Sequence, residues 1–258
     1  MTYSSPFSIA DATIYPAQHI KVHIQPTERV LTQEQRRVAD LIWEQAIAHN
    51  DSLFNGNLFN GKVICYQSHQ QTASTLLVQA MVVDYKYVYA HLTRMQAKDN
   101  SVPSFDLALS PLAVSGIVID PEGNTLISRR GNVTEYSGRY EFPPSGGASL
   151  AHVHQQQFDI AGQLGEEFAE ELGLSIQVID HITPLGLIFD HQHQVYDIGC
   201  KMLVSQPLTT LLKQQQNDND DNATENHEIA WLGTISLAQA YNDANNYIPT
   251  SQALLALL

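Results

Sequence analysis

The spacing of apolar positions changes along this chain, and each change marks an element. Thr32 and Gln35 form a capping box, after which Val38, Leu41, Ile42 and the pair Gln45-Ala46 mark one face of a helix running to about His49. KVICYQ (62–67) and TLLVQAMVV (75–83) are runs rich in β-branched residues, and the polar SHQQTAS between them predicts a hairpin. VYAHL (88–92) follows as a further apolar stretch of the same kind. SPLAVSGIVID (110–120) is another such strand, and Pro121-Glu122-Gly123-Asn124 turns it back into TLISRR. EFPPSGG (141–147) is extended, broken by prolines, and ends in two glycines where backbone can approach a ligand closely. EEFAEELGL (166–174) predicts a helix capped by Gly173, with the β-leaning SIQVI beyond it. ITPLGLIFD (182–190) and VYDIGCKMLVS (195–205) alternate as strands around His191-Gln192-His193. KQQQNDNDDNATEN (213–226) is polar and low in complexity, which predicts a mobile loop. HEIAWLGTISLAQAY (227–241) predicts a strand and a short helix, and PTSQALLALL (249–258) a closing helix with Thr250 as its cap. KDNSVPS (98–104) is the expected junction between a smaller α+β domain, 1–105, and a larger one, 106–258.

Composition narrows the possible partners. Hydrophobic residues make up 43% of the 258, as in a globular protein, while charged residues reach 16% against a typical value of about 25%. The net charge of −14 argues against nucleic acid or an anionic membrane as partner, because phosphate backbones are held by basic surfaces. An anionic nucleotide would therefore depend on a metal ion to approach this chain. Two cysteines, Cys65 and Cys200, imply no disulfide framework. The N-terminus lacks the basic and apolar regions of a signal peptide, and no span approaches membrane length, so a cytoplasmic address is expected.

The candidate chemistry is acidic. Glu167, Glu170 and Glu171 stand at i, i+3 and i+4, so on a helix they project from one face and repel one another. No Lys or Arg occurs between Glu141 and Lys201 to relieve them. A divalent cation would, and Mg²⁺ typically binds few carboxylates together with substrate phosphates. A solvated acidic helix face is the competing reading.

The flanks of this helix carry a family resemblance. Glycine loop, acidic helix and strand in this order resemble the Nudix box, G-x5-E-x7-R-E-U-x-E-E-x-G-U with U apolar. By position Gly147 opens the box, Glu167 is the Glu of the R-E pair, Phe168 is U, Glu170 and Glu171 are the E-E pair, and Gly173-Leu174 close it. Glu166 stands where the family has Arg, the run from Gly147 to Glu166 is five residues longer than the motif, and the intermediate Glu is missing. The resemblance covers roughly 109–258 and implies an α/β/α sandwich on a mixed sheet, with Mg²⁺ or Mn²⁺ held by Glu167, Glu170, Glu171 and the backbone of Gly146. It also makes Glu228, shortly before Trp231, an outer ligand or base, with Glu225 its neighbour; the alternative is a core Trp231 and a surface Glu228. Both Glu167 and Glu228 are eligible as the base. The first hundred residues are similar, in apolar and aromatic spacing, to the branch containing UDP-glucose pyrophosphatases. That implies a small-molecule substrate, a nucleoside diphosphate sugar, cleaved to a nucleoside monophosphate and a sugar 1-phosphate.

Candidate substrate contacts follow. Arg129, Arg130 and Arg139 are the nearest positive charges for phosphate oxygens, and Tyr136 and Tyr140 could stack on a base. His152 and His154 fall in the lengthened loop, where neutral hydrogen-bonding groups suit sugar hydroxyls. The pairs His152/His154 and His191/His193 also have the alternate spacing by which a strand can chelate Zn²⁺, a rival chemistry. A Nudix-fold binding module without turnover is the second alternative, and ADP-ribose or another nucleoside diphosphate derivative the third.

Overall fold

A computed structural model of the protein describes residues 6–9, 11–26, 31–48, 60–72, 74–96, 107–131, 136–218 and 229–258. The expected junction at 98–104 and Glu228 lie outside them. The chain opens with β1 (Phe7–Ile9), β2 (Ala12–Pro16) and β3 (His19–Gln25), then α1 (Gln33–Ala48), the hairpin β4 (Lys62–Gln71) and β5 (Thr75–Asp84), and α2 (Tyr85–Gln96). The second half begins with β6 (Ser110–Ile119), β7 (Asn124–Arg130), β8 (Tyr140–Glu141) and β9 (Ser145–Gly147). The short strands β10 (Val153–His154) and β11 (Gln157–Phe158) lead into α3 (Ile160–Leu172). After these come β12 (Ile179–Asp190), β13 (Val195–Val204), α4 (Leu208–Asp218), β14 (Ile229–Ser236), α5 (Leu237–Asn242) and α6 (Pro249–Leu257).

The fold is α+β on a mixed sheet. Its strand order is β1-β2-β12-β13-β6-β4-β5-β3-β11-β10, with β7, β8, β9 and β14 attached beside β6. Pairing is antiparallel except at β13–β6 and β3–β5. Two arms of the sheet meet at a short ladder, Cys65 opposite Pro111 and Tyr66 opposite Ser110. They approach again where Ala17 N–H donates to Leu185 O (2.9 Å), just past the end of β2. Three cores result. The largest lies under α3 and α4 and joins Leu164, Phe168, Leu172 and Leu208 to Leu112, Val114, Leu187 and Ile198. The second lies on the opposite side of β6, where Ile117 meets Leu254 and Leu255 of α6. The third holds α1 and α2 against β4 and β5 through Val38, Val88, Cys65 and Met81.

Several sequence expectations need correcting. VYAHL lies within α2, because Val88, His91 and Leu92 bury one helical face and Tyr85 and Tyr89, one turn apart, take the Trp43 ring edge-on between them. That packing rotates α1 so that Val38, Ala39, Trp43 and Ala46 face inward while Leu41 is exposed. SIQVI opens as a single 3₁₀ turn, Ile176–Val178, before β12 begins. The polar run at 213–226 starts inside α4, whose first N–H is accepted by Asp120 Oδ2 (3.0 Å) and whose Leu208 and Leu211 are buried. Pro249 rather than Thr250 opens α6, its fixed φ and missing N–H suiting the first helical position. Trp231 is half exposed, lying over Gly233 and edge-on to Tyr140, and is not core. Among the described residues no helix is long and apolar enough to cross a membrane.

Candidate active site

The acidic helix is built as its sequence requires. Asp159 caps it by accepting from Gly162 N–H (3.0 Å), and Gly173 ends it in the left-handed conformation (φ 61°), which a residue with a Cβ adopts only at a cost. Ile160, Leu164, Phe168 and Leu172, one turn apart, bury its apolar stripe. This leaves Glu166 and Glu170 exposed and Glu167 and Glu171 half-buried.

The half-buried pair meets the short strand β9, which pairs with β6 as Ser145–Ser115, Gly146–Val114 and Gly147–Ala113. Ser145 N–H donates to Glu171 Oε2 (3.1 Å). A Cβ built on Gly146 would overlap the Glu167 carboxylate, so the missing side chain is what admits that carboxylate to the strand. Glu167 Oε1 also accepts from Gln163 Nε2 (2.7 Å), and Gln163 Oε1 accepts from Ser149 N–H (2.8 Å). Glu166, where the resembling motif has Arg, meets His152 Nε2 (2.7 Å). The lengthened loop is thus tied to the helix at two places. It also reaches across to β3, where Gln157 pairs with His23 and Ile24 N–H donates to Gln156 O (2.8 Å).

Other candidate residues have protein partners. Arg130 pairs with Glu141, Arg129 donates to Gly138 O (3.1 Å), and Arg139 donates to Tyr247 O (2.7 Å) and Asn245 O (3.1 Å). Tyr136 O–H donates to Asp190 Oδ2 (3.1 Å) and its ring meets His193 edge-on, while Tyr140 packs against Trp231 and Tyr247. His154 is exposed on β10. His191 and His193 stand at the β12–β13 turn, the first bonded to Thr13 (2.8 Å) and the second to Asp190 (3.3 Å). Burial raises the Asp190 pKa, but hydrogen bonds from His193 and the backbone outweigh it and hold the carboxyl below its usual range.

Among the described residues, no three His, Cys, Asp or Glu side chains converge to hold a metal by themselves. The donor set still fits a hard divalent cation that completes its shell with phosphate and water. Two carboxylates meet one glycine-bearing strand, and the space a Cβ would fill at 146 is occupied by oxygen. Sequence reasoning picked out the carboxylates and the glycines but missed Gln163, a neutral residue in a Gln-rich chain whose signal is its place one turn before Glu167.

No protein-family model and no curated protein matches the chain. Solved structures to which it is similar include a NUDIX hydrolase from Nitrosomonas europaea, at 10% identity and TM-score 0.39 over 57% of this chain and 86% of that one. The MutT protein from Methanosarcina mazei Go1 matches at 13% and 0.37, over 57% and 91%. DR0079 from Deinococcus radiodurans matches at 12% and 0.38, over 61% and 86%.

Proposed function

We propose that the protein is a Nudix-type pyrophosphohydrolase, dependent on Mg²⁺ or Mn²⁺, acting on a nucleoside diphosphate sugar. The observation that carries this is the meeting of Glu167 and Glu171 with the β9 backbone at Ser145 and Gly146. Two carboxylates directed at the backbone of one glycine-bearing strand bring hard oxygen donors together where a divalent cation between helix and strand could take them. When bound, such a cation neutralises the diphosphate and lowers the pKa of an attacking water. The chain's part is to hold the two carboxylates in register with β9 and to receive the proton of that water at Glu167 or Glu228. Attack on one phosphorus breaks its bond to the bridging oxygen and releases a nucleoside monophosphate and a sugar 1-phosphate. The loop bearing His152 and His154, poor in Lys and Arg, favours a neutral sugar over a polyphosphate tail. A binding module without turnover is the second reading, favoured by Glu166 in place of Arg and by the missing intermediate Glu.

The test is incubation with nucleotide sugars, ADP-ribose, nucleoside triphosphates and dinucleoside polyphosphates plus Mg²⁺, with phosphate products resolved. Nucleotide sugars should be cleaved between their two phosphates, and Glu171→Gln should lower turnover by about 10²-fold or more while the protein stays folded. Faster turnover of triphosphates would overturn the substrate assignment, and no turnover of any substrate would favour the binding module.

A further inference from the structure

Behind the Glu167 carboxylate stands a relay that ends in the backbone of the lengthened loop. Gln163 is 2% exposed and lies one turn before Glu167 on α3. Its Oε1 accepts from Ser149 N–H at 2.8 Å and its Nε2 donates to Glu167 Oε1 at 2.7 Å. The two bonds fix which end of the amide is which: turned over, it would set N–H against N–H and carbonyl against carboxylate. An amide N–H also differs from a cation as a partner. It orients the carboxylate without cancelling its charge.

We infer that Gln163 is a positioning residue of this site: it holds the Glu167 carboxylate against Gly146, and it takes its own orientation from Ser149 in the 148–159 loop. The inference rests on the reading of Glu167 as a divalent-cation ligand given above. Glu166 is engaged by His152, while Glu167 takes the amide of the residue one turn earlier. Partners of this kind behind a ligand are worth about 10- to 100-fold in metal affinity.

Direct Mn²⁺ binding, followed by electron paramagnetic resonance without nucleotide, tests the role apart from turnover. Gln163→Met keeps the volume and removes both bonds; it should weaken Mn²⁺ binding about tenfold or more. Leu172→Ala, a cavity in the same helix away from the relay, serves as the control for loosening. It should lower the melting temperature at least as much yet leave Mn²⁺ affinity within about twofold. Equal Mn²⁺ affinity in wild type and Gln163→Met, or parallel losses in both variants, would overturn the positioning role and leave the ligand reading standing. Failure of wild type to bind Mn²⁺ at all would overturn the ligand reading itself. Should Gln163→Met not fold, the wild-type protein supplies the answer by NMR. The Gln163 side-chain amide signals should shift on adding Mg²⁺ with the midpoint seen for metal binding, and their indifference to bound Mg²⁺ would sink the assignment.

Discussion

Asp197, on β13, carries a fully enclosed carboxyl that the proposed chemistry does not use. Oδ2 accepts from Ser115 Oγ–H (2.8 Å), and Oδ1 has no partner among the described residues. Burial, with a contribution from the nearby Asp190 charge, pushes its pKa up to about 7 despite the Ser115 hydrogen bond. The folded pKa lies above the unfolded one, so the neutral acid's contribution is complete below about pH 4 and is lost as pH rises towards 7. Above that pH the core must hold an under-paired charge. Asp197→Asn should therefore melt at a higher temperature than wild type at pH 8 and should show a smaller fall in stability between pH 4 and 8 than wild type, measured by thermal unfolding across that range. The same physics decides what was legible residue by residue. Three carboxylates crowded on one helical face are conspicuous in a sequence, because repulsion demands a reason. A buried amide or a buried aspartic acid is not, because its role depends on strands that meet only in the fold.

At the scale of elements, local chemistry was readable wherever the signal was itself local. The capping box at the start of α1 forms in both directions, Thr32 N–H to Gln35 Oε1 (2.9 Å) and Gln35 N–H to Thr32 Oγ1 (3.1 Å). Thr32→Ala should cost about 1 kcal/mol in chemical denaturation, with the midpoint lowered and the slope unchanged. The hairpins β4–β5 and β12–β13 and the capped acidic helix were legible for the same reason. Failures came where packing overrode composition. α2 is written in β-branched and aromatic residues, yet it is helical because Tyr85 and Tyr89, one turn apart, form a slot that Trp43 of α1 fills. α4 hides in a polar run because two leucines and the Asp120 cap suffice to dock it.

For the molecule as a whole, pairing order was the least legible property. Strands from either side of position 105 join at β2–β12, β3–β11 and β4–β6, and no local pattern announces such long-range partners. The first of these has a consequence for how the protein is made. Pro16 pairs with Gly186 and Ala12 with Asp190, so β2 leaves the ribosome long before the strand that completes it. Ala12 and Ile14, fully buried in the finished molecule, must wait in a growing chain with their backbone edge unpaired. Closure over so long a separation is slow. Ribosome-held chains ending at residue 185 should leave β2 open to protease, whereas chains extended past β13 should protect it. Delay in translating the second half would then lengthen the time during which this strand can pair with the wrong neighbour.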